Sequence, residues 1–317
     1  MKIFAISLMT IVTLLLVAVT PVSGANITWI GGDGDKWQND EKWDLNRQPL
    51  SSDRAIINNG TRCEIDHNTA VCQSIEIDNS STVRMLSGSV LTLGDGYAQT
   101  SNMDYSAKLE IGYGGSATLE ISGGHKIKGS RWAIIDMLHV GSEIVEKYGE
   151  DDVLTIEHSC GDTLEMPCSV GLRGIGEIEV TLVNNAHVLA QTDGGTLYLS
   201  TRDKSGDDGV WLAGDNGRLY VNCEITGAAA WSSGDNIDGG LFEISGSGCV
   251  NSTGDVLISG AGMGLKVNDG ARFCTTGNLE FKSSETEGDP TETSIFVGED
   301  NAVAIFGVSA CYAGGGC

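Results

Sequence analysis

Two adjacent carboxylates, Asp207 and Asp208 within Gly206-Asp207-Asp208-Gly209, are the residues closest to acid–base machinery. Hydrolysis of a glycosidic bond needs one carboxyl group to protonate the leaving oxygen and a second to activate water. The Gly-His-Gly and Arg-Ile-Lys elements that complete a β-helical hydrolase do not follow this pair. Gly124-His125-Lys126 lies upstream, and Arg202 and Lys204 precede it. Lyase chemistry on a uronate would want Lys or Arg beside bound Ca²⁺, and the scattered basic residues form no such set. The tandem therefore reads as an acidic turn, and no catalytic residue is assigned.

Ca²⁺ is the one cofactor for which the chain offers ligands. Asp33 and Asp35 in one segment, and Asp151 and Asp152 in another, are oxygen-rich, and a hard cation seeks six to eight such donors. Asp33-x-Asp35-x-Trp37 breaks the EF-hand pattern, and Gly31-Gly32-Asp33-Gly34-Asp35 misplaces the acidic residue of the nonapeptide repeat. Among the histidines, His139 is expected to point outward between Leu138 and Val140, while His125, His158 and His187 lie near turns and read as surface residues. No G-x-S-x-G elbow marks a nucleophilic serine.

The chain has nine cysteines and no C-x-x-C. In an oxidising compartment Cys63 with Cys72, and Cys160 with Cys168, are spaced to close short loops. The odd number leaves one thiol over, and Cys317, at the end of Tyr312-Ala313-Gly314-Gly315-Gly316-Cys317, is the candidate for an interchain bond. N-x-S/T sequons begin at Asn26, Asn59, Asn79 and Asn251 and mark exposed loops and glycosylation candidates. If exposed, Trp29, Trp37, Trp43, Trp132, Trp211 and Trp231 would stack on sugar rings along a groove.

The elements that position these groups are legible in the composition. The 317 residues include 44 glycines and 4 prolines. Each glycine inside a helix costs about 1 kcal/mol, which argues against a helical protein. From about residue 83 onward, short apolar/polar alternations end in glycine or asparagine, as in Leu109-Glu110-Ile111-Gly112 and Leu119-Glu120-Ile121-Ser122-Gly123. Period-two spacing over so few residues marks strands with one buried face. Such a strand is stable only when stacked on its equivalents in neighbouring coils, with glycine turning the corners. The fold expected is all-β, a right-handed parallel β-helix. Residues 26–66 form an aromatic-rich N-terminal cap and first coil, 67–308 the β-helix, and 309–317 a Gly/Cys tail. Ser283 to Thr293, with Pro290, reads as an inserted loop.

Residues 1–25 have the form of a secretory signal: Lys2, an apolar run from Ile3 to Val19, then Ser23, Gly24 and Ala25. No later stretch has the length to span a bilayer, so the mature chain is expected to be exported without a membrane span. With 43 acidic and 19 basic residues the net charge is −24. That balance excludes nucleic acid as a partner. The partners expected are further copies of the chain, stacked at solenoid ends, or glycans of the cell surface or matrix.

Trp29, Gly31, Gly32, Gly34, Trp37, Trp43, Pro49, Asp53, Ala55 and Ile57 form a W-x-G-G-x-G-x-x-W…W…P…D-x-A-x-I pattern. This opening resembles that of secreted bacterial autotransporter-passenger-like β-helix proteins, which often carry PEP-CTERM or dockerin tails. The resemblance extends loosely to residue 305 and implies a right-handed β-helix at the cell surface or in the matrix, without catalytic residues. It departs at Cys311 to Cys317, which is neither a sorting helix nor a dockerin. The function expected is a secreted, non-enzymatic solenoid with a structural, self-assembling or adhesive role. The alternative is a polysaccharide-binding or polysaccharide-cleaving β-helix.

Overall fold

A computed structural model describes residues 24–66, 69–130, 132–149, 152–158, 171–190, 194–214, 216–233, 240–259, 263–268, 270–282, 294–297 and 303–306. Within them the chain is a parallel β-solenoid with three faces. The first face is a 12-stranded sheet that starts with Asn26–Thr28 and finishes with Val303–Phe306. The second and third faces form one 19-stranded sheet, because the strands Ile134–Glu146 and Gly171–Ile178 run continuously round the corner between them. No helix among the described residues is long and apolar enough to cross a membrane.

Leu109 and Leu119 show how the short runs are used. They do not pair with each other across their glycine corner. Leu109 stacks between Val83 and Ile135 on the second face, and Leu119 between Leu91 and Ile144 on the third. Strands of this length gain ladder bonds above and below only by such stacking, and their inward side chains fuse into one core. Two glycines show why small residues hold the corners. A Cβ on Gly94, at φ 101°, would lie 2.1 Å from the Ser122 carbonyl oxygen, and one on Gly174, at φ 117°, 1.9 Å from that of Met137.

Polar groups recur at fixed places in the coil and close backbone bonds that a corner would otherwise leave open. At the exit of the first face the Asn184, Ser252 and Thr275 side chains accept the N–H of Ala186, Gly254 and Gly277, at 3.0–3.1 Å. At its entrance the buried Asp53 carboxylate accepts from Ala25 and Leu50 N–H, both at 2.8 Å, and pairs with Arg47. Burial opposes ionisation of Asp53, but the guanidinium and the two N–H groups outweigh it and hold its pKa below the usual carboxylate value.

The N-terminal tryptophans form a closed cap. Trp29, Trp37 and Trp43 are at most 1% exposed, and Trp43 meets the other two edge-on, at 5.1 and 4.8 Å between ring centroids. Asp44 N–H donates to the Thr28 carbonyl, and Thr28 N–H to the Asp44 carboxylate, both at 2.9 Å. The outer edge of the first strand is therefore occupied by the chain itself, a common protection for a sheet edge.

Candidate functional site

Of the six tryptophans, Trp211 and Trp231 are also interior, so the expectation of an exposed indole row is corrected for five of them. Trp211 and Trp231 take inward positions in the strands Val210–Ala213 and Ala230–Ser233, and Trp29, Trp37 and Trp43 are closed into the cap. Only Trp132 is exposed, at 54%. It sits in a turn, which sets it apart from the strand tryptophans.

That turn belongs to a stack at the corner between the first and second faces. Ser81 N–H bonds back to Asp78 O, Ala107 N–H to Asp104 O, and Ala133 N–H to Ser130 O, at 2.9–3.1 Å. Asn79 and Ser80, then Tyr105 and Ser106, have φ between 48° and 60°, and Trp132 has φ 72°. Positive φ at both central residues is the type I′ arrangement. It suits asparagine, whereas a bulky aromatic there is an outlier. Tyr105, 46% exposed, and Trp132 thus stand out at this corner on successive coils.

Beside these turns lies a polar recess of about 290 Å³ lined by Glu76, Asp78, Asn102, Asp104, Lys128 and Ser130. Register explains the grouping. Glu76, Asn102 and Lys128 are one outward column of the first face, and Asp78, Asp104 and Ser130 begin the three stacked turns. Glu76 pairs with Arg54, while Glu157 pairs with Lys126 at 2.6 Å and lies 3.9 Å from Lys128. Asp78 accepts from Asn79 N–H at 2.6 Å; Asp104 accepts from Tyr105 N–H at 2.8 Å and from the Ser130 hydroxyl. Hydrogen-bonding groups beside exposed aromatic faces are what a sugar ring requires, with polar edges to bond and C–H faces to stack. A second, apolar groove of about 600 Å³ on the second face contains the outward Leu189, Leu212 and Leu257.

The residues singled out by sequence have other duties. Asp207 and Asp208 are exposed in a turn, where Asp207 accepts from Ala228 N–H at 3.3 Å. Asp33 accepts from Arg62 N–H at 3.2 Å. Asp35 accepts from Gly32 N–H at 2.7 Å and faces Lys42 at 3.0 Å, and these two, in that order, hold its pKa low. Asp152 is buried and bonded to the N–H groups of Gly123, Lys147 and Tyr148, the same duty that Asp53 performs at the equivalent corner four coils earlier. No group of three or more potential metal ligands occurs among the described residues.

The proposed Cys63–Cys72 bridge is corrected: both are free thiols at inward strand positions, where their neighbours one coil on are Val83 and Leu93. Burial pushes both thiols well above their usual pKa. In the native protein both therefore stay unalkylated by iodoacetamide, over times that label them fully in urea, as peptide masses would show. Cys249 and Cys274, in contrast, each take part in a disulfide bond, and their register partners are Arg272 and Asn251.

The histidine readings also change. His125 and His187 are buried, and Leu138 and Val140 are exposed on either side of a half-buried His139. The register shift between Leu138 and Glu143 breaks alternation where the long strand rounds the corner. Lys204, which the sequence places only as a basic residue before the Asp207-Asp208 tandem, is buried. It points inward, its Nζ donates to Ser200 O at 2.9 Å and Arg202 O at 2.5 Å, and burial pushes its pKa down to about 8.

The sequon asparagines Asn26, Asn59, Asn79 and Asn251 are all exposed, although Asn59 and Asn79 donate their amides to the Gly31 and Asn58 carbonyls. Residues 1–23, Asp151, Cys160, Cys168, the Ser283 to Thr293 loop, the tail with Cys317 and the His158 side chain lie outside the described residues. Comparison with protein-family models, with curated proteins and with solved structures gives no match for this chain.

Proposed function

We propose that the protein is a secreted, non-catalytic adhesive β-solenoid that holds a glycan of the cell surface or matrix on its side. The observation that carries this reading is the lone exposed tryptophan, Trp132, set with Tyr105 beside a recess of hydrogen-bonding side chains. The apolar N-terminal run and the exposed sequons support export. Adhesion is favoured over filament growth because coaxial stacking needs an open edge at each end, and the Asp44 segment already occupies the edge of the first strand. It is favoured over cleavage because Asp207 and Asp208 stand exposed at a bend, where Asp207 bonds the Ala228 N–H, and the sequence after them lacks the Gly-His-Gly and Arg-Ile-Lys elements.

Trp132→Gly is the decisive variant. It removes the ring and relieves a positive φ, which glycine adopts at no steric cost. The expected result is at least about a tenfold loss of glycan binding, equivalent to about 1.4 kcal/mol, with the urea midpoint unchanged or raised. Binding on a glycan array followed by calorimetry on the hits provides the measurement. Unaltered binding by the variant, or an absence of glycan binding by the parent protein, refutes the proposal.

A further inference from the structure

Cys63, Cys72 and Cys223 are free thiols buried in the solenoid. Nine cysteines less these three leave six, an even number, so parity no longer singles out Cys317. Cys249 and Cys274 each take part in a disulfide, and they lie on adjacent strands of the first face, Cys249–Ser252 and Arg272–Thr275. Both stand on the outer side, because their strand neighbours Val250 and Phe273 are the inward, buried residues. Cys249 is in register with Arg272 and Cys274 with Asn251, so the two cysteines are one strand apart and two residues out of step. With strands about 4.8 Å apart and a rise of about 3.3 Å per residue, their Cα atoms are about 8 Å apart, beyond the roughly 7 Å a disulfide bridges.

Chain reach narrows the partners further. Cys160 is two residues past His158, and Cys168 is three residues before Gly171. Both anchors lie four coils from Cys249 along the solenoid, about 19 Å at the strand spacing. A residue spans at most about 3.6 Å, so neither cysteine comes within bonding distance of Cys249, or of Cys274 one coil further on. Cys311 meets no such obstacle. It is five residues beyond Phe306, in the strand Val303–Phe306 that pairs with Arg272–Thr275, where Ile305 is the register partner of Cys274. Gly314-Gly315-Gly316 then leads to Cys317, and glycine lets a short segment turn sharply.

We infer that Cys249 and Cys274 are bonded to Cys311 and Cys317, which makes the tail a covalent clamp on the first face instead of an arm for another subunit. Each bond joins two thiols, while a small external disulfide takes up the two electrons and two protons and leaves as two thiols. The clamp ties Val303–Phe306, the last strand of its sheet among the described residues, to the two coils beneath it. An end coil has a neighbour on one side only, and the tryptophan cap already closes the opposite end.

A peptide map of the intact protein tests this, with the protein taken from an oxidising medium, alkylated in urea without reductant, and digested. Expected are cross-linked peptides joining Cys249 and Cys274 to Cys311 and Cys317, from a band that runs as a monomer on a non-reducing gel, with alkylation on Cys63, Cys72 and Cys223. Reduction by a dithiol should speed amide exchange at least about tenfold in Arg272–Thr275 and Val303–Phe306, and leave exchange in Asn26–Thr28 unchanged. A Cys249–Cys274 peptide, a link from either one to Cys160 or Cys168, or tail cysteines joined between chains overturns the assignment. Exchange that is the same before and after reduction overturns the clamp.

Discussion

Trp231→Ala is expected to lower stability by about 3–5 kcal/mol, the range for truncating a large buried aromatic. Trp231 lies in the strand Ala230–Ser233 and is 1% exposed. Its ring stacks on Trp211 at 5.8 Å and receives Phe242 and Phe273 edge-on at 5.3 and 5.5 Å. One side chain thus joins three other strands and all three faces of the solenoid. Removing it leaves a cavity that stacked coils cannot close, because each coil is held in register by the next. Trp231→Phe is the informative companion. The indole Nε1 has no hydrogen-bond partner among the described residues, so phenylalanine retains much of the packing and frees no acceptor. Its cost should be about 1–2 kcal/mol. Urea midpoints of the two variants test the argument, with hydrogen exchange showing whether the coils around residues 211–273 open first. If both variants lose the same amount, the aromatic cluster does not act as described.

The second large effect is on acid stability. His125 is 1% exposed; its Nε2 meets Ser101 Oγ at 2.8 Å, that hydroxyl accepts from Ile75 N–H at 2.9 Å, and Nδ1 has no partner among the described residues. Burial pushes its pKa from 6.5 down to about 4, against a small opposing pull from Asp95. Between those values the unfolded chain binds a proton that the folded chain refuses, so stability falls as pH drops through that window. The whole gap is worth about 3 kcal/mol. Carboxylates with lowered pKa values, such as Asp53 and Glu243, lose their contribution only as pH falls below their own ordinary values. Their effect therefore begins lower than that of the histidine. His125→Leu continues the apolar column formed above it by Leu154 and Leu182. This variant should show a much flatter dependence between pH 6.5 and about 4, whatever its stability at neutral pH. Parallel slopes for the two proteins in urea midpoint against pH would remove His125 from the account.

The architecture was legible in the chain because its signal is local. Runs such as Leu119-Glu120-Ile121 declare which side of a three-residue strand is buried, and the glycines after them declare the corners. Such strands have few stable arrangements besides stacking, so a parallel solenoid follows from pattern and spacing alone. The aromatic density at residues 29–43 likewise marked the cap. Apolar character alone misleads at one place, however: alternation from the buried Ile135 and Met137 carries Leu138 and Val140 to the outer side, where both face solvent.

Other outcomes depend on which coil lies above which. Asp78, Asp104 and Ser130 are 26 residues apart along the chain, yet they line one recess because Ile77, Met103 and Gly129 share a register. Coil lengths vary too much for sequence to supply that alignment. The same holds for His125, whose burial depends on the Ser101 coil below it, and for Asp152, whose partners include Gly123 from the preceding coil. Residue types and their local rhythm determined the strands, the corners and the cap. Only the stacking of the coils decided which polar groups meet, which are buried, and which single tryptophan is left facing solvent, because those contacts form between segments that share no local sequence.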